Sequence, residues 1–204
     1  MYRNCFKRVF DIIGSLILMP FVLLEILILA PLIWITDRGP VFYNATRAGQ
    51  NYKPYKMFKL RSMYVNSPDL RNSDGSTYSS DDDARVTPIG RILRKASLDE
   101  FPQLINVLLG QMSLVGPRPK LWRSDRKVEE MDENRRKSYS VRPGVTGYAQ
   151  AYYRNSITQE EKFKWDAYYA DNVSLWLDIK ILWQTVISVA CRKNINTAQA
   201  DKSE

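Results

Sequence analysis

Hydrophobicity divides the chain into one long apolar run and a much longer region of mixed pattern. Residues 12–35, IIGSLILMPFVLLEILILAPLIWI, are almost wholly apolar. At ~1.5 Å per residue a helix over them reaches roughly 36 Å, enough to cross a hydrocarbon core. A cleaved signal peptide fits poorly, since the run is too long and no A-x-A site follows. A spanning helix has to carry Pro20 and Glu25 inside the membrane, one lacking a backbone donor and the other costly to desolvate. Arg3, Lys7 and Arg8 precede the run and Arg38, Arg47 and Lys53 follow it, so the positive-inside rule finds no asymmetry. A re-entrant helix, broken within the membrane and returning to the face it entered, satisfies both flanks and is the preferred reading. Trp34 would then sit at the interface, where aromatic rings partition.

Asp37-Arg38-Gly39-Pro40 marks a turn, and the pattern changes after it. VFYNATRAG and YKPYKMFKLRSMYV are rich in β-branched and aromatic residues and predict short strands or a hairpin. Residues 66–83 form a polar loop. Its Asp81-Asp82-Asp83 run is a weak metal candidate against the simpler reading of a solvated loop. PIGRILRK (88–95) predicts a short amphipathic helix carrying Arg91, Arg94 and Lys95, and PQLINVLLG (102–110) an apolar helix ending at Gly110 in the C′ position. VGPRP (115–119) and VRPGVTGYAQ (141–150) read as Pro/Gly turns flanking a charged helix over 123–137. In VSLWLDIKILWQTVISVA (173–190) apolar residues recur at helical spacing, and both a core location and an interfacial one fit that pattern.

Composition narrows the chemistry. The 204 residues carry 30 Lys and Arg against 22 Asp and Glu, a net charge of +8, which attracts nucleic acid, acidic lipid or phosphorylated substrates alike. There is no histidine, which removes Ser-His-Asp and Cys-His catalysis and every His-ligated metal. Cys5 and Cys191 lie near opposite ends of the chain, so neither a disulfide framework nor a zinc site is expected.

Within ASLDEFPQL (96–104) two carboxylates, Asp99 and Glu100, are adjacent. Ser97 to Glu100 spells a capping box, but that register would put Pro102 at N5, where it lacks a needed N–H and its ring clashes with the preceding turn. A helix starting at Pro102 fits better and leaves both carboxylates just ahead of its positive end, where negative charge is stabilised. Two ionised carboxylates side by side want a cation, and Mg²⁺ suits a pair completed by phosphate oxygens. An ionised Asp is also a competent nucleophile at phosphorus. Lys59, Arg94, Arg118 in the GPRP turn and Arg142 before Pro143-Gly144 are candidate phosphate partners.

FKRVFDII (6–13), KMFKLRSM (56–63), IGRILRKASLDEFPQLINVLLGQMSLVGPRP (89–119) and RPGVTGYAQ (142–150) together resemble the bacterial sugar transferase family, the monotopic polyprenyl-phosphate phosphoglycosyl transferases. The resemblance runs from about residue 6 to about residue 190 and is closest to the minimal, single-domain members, with no nucleotide-fold domain ahead of the motifs. It implies an α+β, helix-rich fold: a re-entrant membrane helix over 1–38, a short β-hairpin, a compact catalytic domain over 39–192 with amphipathic interfacial helices, and a polar tail over 193–204. It further implies a bacterial inner-membrane enzyme facing the cytoplasm. Such an enzyme moves a sugar-1-phosphate from a UDP-sugar to polyprenyl (undecaprenyl) phosphate in a ping-pong reaction with Mg²⁺. By position Asp99 would be the nucleophile, Glu100 a metal ligand alongside it, and Lys59, Arg94 and Arg118 the phosphate-binding residues, with Arg142 in the RPG turn a further candidate. The family's Ser-Pro break in the membrane helix is replaced here by Leu23-Leu24. Membrane lipid is an expected partner and nucleic acid is not, while an oligomer stays open. The rival reading is a membrane-anchored binding module for acidic lipid or a partner protein, which has no need of an Asp-Glu pair ahead of a proline.

Overall fold

The structure, a computed structural model, describes residues 2–70, 78, 80, 82–154 and 156–191. The polar tail expected over 193–204, Asp81 and much of the polar loop before it lie outside the described residues. After a 3-10 turn at Tyr2–Asn4 the apolar run forms one helix, α1 (Phe6–Asp37), with Pro20 and Pro31 inside it. The expected break is not an interruption, because the helix continues through Leu23 and Leu24. Arg38 ends α1 in the left-handed region at φ 52°, closing it with an N–H donated to the Trp34 carbonyl.

The hairpin is present: β1 (Ala45–Ala48) pairs antiparallel with β2 (Pro54–Met57) through a turn in which Asn51 and Tyr52 have positive φ. Next come α2 (Pro88–Ala96), capped by the Thr87 hydroxyl, α3 (Gln103–Leu108), β3 (Ser113–Val115) and β4 (Lys120–Leu121), the last adding a third strand to β1. The charged helix expected over 123–137 shrinks to a 3-10 turn at Val128–Glu130 and α4 (Glu133–Ser138), because Asp132 caps the chain at that point by accepting from the Arg135 N–H. The RPG segment holds β5 (Gly144–Thr146), parallel to β3, where the sequence predicts only a turn. The remaining helices are α5 (Tyr148–Tyr152), α6 (Gln159–Asp171) and α7 (Leu175–Ala190). Sequence patterning passes over α6, although Thr158 and Glu161 form a complete capping box at its start.

The placement of α1 matters most for function. Val22 is 1% exposed among Tyr55, Met57, Leu104, Val107 and Met112, and Ile33 is buried against Leu60 and Leu93. Ile26 and Leu29 pack between these contacts, so one stripe at spacings of three and four docks along α1. Burying each such side chain contributes about 1.5–3 kcal/mol. Polar ties hold both ends. At the start, Lys7 Nζ lies 2.7 Å from Asp178 Oδ2, and Arg8 donates to the Val107 and Leu108 carbonyls at the end of α3. At the far end, Arg61 pairs with Asp37 through both its terminal nitrogens. The opposite face, including Ile17, Phe21, Leu24, Leu27 and Ile35, is exposed and apolar along the whole helix.

Candidate active site

Ser97 ends α2 in the left-handed region, its N–H bonded to the Arg94 and Leu93 carbonyls, and its side chain makes no capping bond to the turn that follows. The capping box is therefore not formed. Leu98–Glu100 makes a single 3-10 turn, Pro102 stands at the N-cap of α3, and the helix begins at Gln103, one residue past the expected start. This places Asp99 and Glu100 immediately ahead of α3. Asp99 is 2% exposed.

Two supports fix the pair. The Leu60 N–H donates to the Asp99 carbonyl at 3.0 Å, which binds the chain next to Lys59 to the turn. Asn106, fully buried on α3, accepts from the Phe58 N–H and donates to the Lys56 carbonyl and to Gln111, holding α3 against the same segment. Sequence reasoning missed this role. The available signal was an amide within the apolar helix LINVL, since a buried amide has to be hydrogen-bonded.

Lys59 then lies 2.7 Å from Asp99 Oδ2 and 3.3 Å from Glu100 Oε1. Arg118 Nη2 is 2.8 Å from Glu100 Oε1 and Nη1 is 3.4 Å from Oε2, a forked pair. Burial pushes the Glu100 carboxyl up, but the Arg118 and Lys59 charges and their hydrogen bonds outweigh it and hold Glu100 well below the usual carboxylate range. Arg94 lies in the field of Asp99, Asp83 and Glu100 while its Nε donates to the Ser62 hydroxyl at 2.9 Å. Arg142 is elsewhere. Its Nε donates to the Gly110 carbonyl, beyond the far end of α3 and beside Arg8, so the structure does not bring it to the pair.

The GPRP turn that aims Arg118 depends on close backbone packing. The Gly116 N–H donates to the Thr146 carbonyl and the Gly144 N–H to the Pro117 carbonyl, and a Cβ on Gly116 would meet the Arg142 carbonyl at 2.4 Å. Two more groups lie near the pair: Glu25, which sequence patterning marks only as a charge costly in a membrane, and Arg154, which it passes over. Glu25, on the docked stripe of α1, lies within the field of Asp99 with both carboxylate oxygens buried and no hydrogen-bond partner among the described residues. Arg154, just past α5, senses Arg118 and Glu100.

Among the described residues no three carboxylate or cysteine groups converge as a metal cage. A pair completed by substrate oxygens still fits a hard cation. Lys59 Nζ is in charge contact with Asp99 Oδ2 but out of line for a hydrogen bond, so among the described residues this buried oxygen has no donor aimed at it. Chemically, the site offers a nearly buried carboxylate, a second one clamped by cations, and arginines suited to phosphate.

Known proteins supply independent comparison. An "Uncharacterized sugar transferase EpsL" of Bacillus subtilis is 39% identical over 93% of this chain and 89% of its own. The "Exopolysaccharide production protein PSS" of Rhizobium leguminosarum bv. phaseoli is 38% identical over 91% of this chain and 96% of its own. The "UDP-glucose:undecaprenyl-phosphate glucose-1-phosphate transferase" of Klebsiella pneumoniae is 37% identical over 89% of this chain, which spans only 39% of that longer protein. Residues 2–192, including the Asp99-Glu100 turn and its cationic supports, match the bacterial sugar transferase family, and the chain belongs to it.

Proposed function

We propose that the protein transfers a sugar-1-phosphate from a UDP-sugar to polyprenyl phosphate at the cytoplasmic face of the bacterial inner membrane, an early membrane step in building a glycoconjugate. The observation that carries this reading is the buried Asp99 beside Lys59, with Glu100 clamped by Arg118 in the adjacent position. An Asp99 oxygen attacks the sugar-linked phosphorus. The bond from that phosphorus to the bridging oxygen breaks, UMP leaves with the electron pair, and the phosphosugar stays on the Asp99 carboxylate. A phosphate oxygen of the polyprenyl phosphate then attacks the same phosphorus. It displaces the Asp99 carboxylate and gives a polyprenyl-diphosphate-linked sugar. Lys59 holds Asp99 in place, and Arg118 and Arg94 offset phosphate charge. Asp99 and Glu100 would hold Mg²⁺, which when bound supplies charge neutralisation at the phosphates.

The membrane enters through α1 and α7. The exposed apolar face of α1 runs between two ends tied to one folded body, which supports a helix that enters and leaves on one face. Trp176, Ile179, Trp183 and Val186 of α7 are also exposed, consistent with an interfacial helix. The function is tested by incubating purified protein with Mg²⁺, a panel of UDP-sugars and polyprenyl phosphate. UMP release with at least one donor is expected, as is retention of labelled sugar on the protein when lipid is withheld. Asp99→Asn should lower UMP release on the order of 10³-fold or more and abolish the retained label while still binding membranes. Absence of UMP release with every donor overturns the transfer reading, and turnover by Asp99→Asn near wild type overturns the nucleophile.

A further inference from the structure

The junction that aims Arg118 also launches a set of aromatic rings. A Cβ on Gly147 would lie 2.1 Å from the Gly116 carbonyl, so one segment leaves this contact into α5 at Tyr148 and the other into Pro117-Arg118. Tyr148 stacks on Tyr152 at 4.7 Å and on Trp165 at 5.2 Å, with 21° between the latter planes. Trp165 also stacks on Tyr153 at 5.3 Å, and Tyr168 meets both Tyr148 and Trp165 edge-on. Core packing accounts for Tyr148, which lies against the cluster of Val115, Tyr169 and Ile181, but not for the exposed rings stacked on it. Tyr152 and Tyr168 are 40% and 44% exposed, whereas a core tyrosine such as Tyr169 is 1% exposed.

Arg154 follows Tyr153 directly. It adopts a left-handed conformation at φ 51° and its N–H donates to the Ala149 carbonyl. Burial and the Arg118 charge lower the pKa of its guanidinium while the Glu100 carboxylate raises it, so Arg154 lies in the field of Arg118 and Glu100. The rings and this arginine therefore adjoin the Arg118 turn, and Arg118 pairs with Glu100 while Lys59 reaches both Asp99 and Glu100. In an in-line displacement the leaving oxygen departs away from the attacking Asp99 oxygen, and Arg118, paired to Glu100 rather than to Asp99, together with Arg154 supplies cations for the phosphate that departs.

We propose that Tyr152, Tyr153 and Trp165, with Arg154, form the uridine end of the donor site, where the uracil stacks on exposed tyrosine and Arg154 receives the phosphate that departs in UMP. Stacking tolerates any planar base face, and a guanidinium suits a phosphate dianion. This subsite rests on the UDP-sugar transfer reading above.

The test uses the full-length protein in detergent or nanodiscs and reads UMP binding by calorimetry alongside UDP-sugar kinetics. Tyr152→Leu and Tyr153→Leu retain apolar bulk, Tyr153→Trp restores a flat ring, and denaturation midpoints verify that each variant folds. The leucine variants should weaken UMP binding about 10- to 100-fold and raise KM for every UDP-sugar by a common factor, with Tyr153→Trp close to wild type. Arg154→Gln should likewise weaken UMP while leaving uridine binding nearly unchanged. A change in the ranking of UDP-sugars with UMP binding intact would assign the rings to the sugar and overturn the proposal. So would unchanged UMP binding accompanied by weaker co-sedimentation with anionic liposomes, which would assign them to the membrane. A wild-type protein that neither binds UMP nor releases it overturns the transfer reading and this subsite together. An active wild type with unaffected variants overturns the subsite alone.

Discussion

Asp99 and Glu100 are neighbours in sequence but are held in different ways, and their roles separate accordingly. Asp99 is almost fully buried with one oxygen facing no hydrogen-bond donor, while Glu100 is clamped by Arg118 and Lys59. The clamp has a measurable pH signature. The folded Glu100 carboxyl is depressed from its ordinary 4.5 despite an opposing burial effect, so its contribution to stability is fully present above that value. That contribution is lost as pH falls from there toward the lower folded value. Glu100→Gln lacks this dependence. The wild-type advantage over Glu100→Gln in denaturant midpoint should therefore be full at pH 7 and shrink as the pH is taken below 4, and an advantage that stays constant with pH would show that the clamp does not hold a charged Glu100. The pair itself was legible in sequence because Pro102 disqualified the capping box, a local steric argument that the bare Ser97 hydroxyl bears out. Arg142 was not correctly placed by the same reasoning. A proline-glycine turn fixes an arginine's backbone and leaves its side chain undirected, and here it runs to the Gly110 carbonyl.

Elements were legible where periodicity or caps act locally. The apolar run, the hairpin, α2, α3 and α7 follow from patterns contained within each segment. β3 and β5 do not. Each has three residues, and they exist because Gly116 and Gly144 let two backbones approach more closely than any side chain permits. Nothing local in SLV or GVT declares that pairing, since its cause is a contact between segments far apart in the chain. This dependence gives a prediction at the same scale. Gly116→Ala would place a methyl 2.4 Å from the Arg142 carbonyl and 2.8 Å from the Gly144 nitrogen, both rigid backbone atoms. The substitution should lower stability by about 1–3 kcal/mol. Because β3 leads straight into Arg118, UMP release should fall further than the fraction of folded protein does. Equal losses of activity and of folded protein would show that the turn supports stability only.

For the molecule as a whole the decisive question is where the two ends of α1 lie. Hydropathy and length alone allow a membrane crossing, since the helix has 32 residues and its apolar window is only 11% buried. Packing argues against it. A helix of that length reaches roughly 48 Å, and polar ties hold it to the same folded body at both ends: Lys7 to Asp178 and Arg8 to α3 at the start, Asp37 to Arg61 at the finish. Between them Val22, Ile26, Leu29 and Ile33 dock on that body, so a crossing would have to strip the stripe and break the buried Arg61 pair, leaving its charge uncompensated. On the proposed reading the remaining apolar face meets lipid from one side only. Both native cysteines, Cys5 and Cys191, are exposed and have to be replaced before single cysteines are introduced at Asn4 and Arg38. In intact cells a membrane-impermeant maleimide should label neither position, and after permeabilisation it should label both. Labelling of one end alone in intact cells would establish a crossing helix. Breaking the Arg61 clamp supplies the energetic counterpart. Arg61→Leu should loosen the far end of α1, exposing Arg38 to proteolysis while the Lys7 end stays docked, because each end is held by its own contacts. Asp11 accepts from the Ser113 hydroxyl and the Leu114 N–H near the Lys7 end, and the stripe from Val22 to Ile33 is apolar except at Glu25.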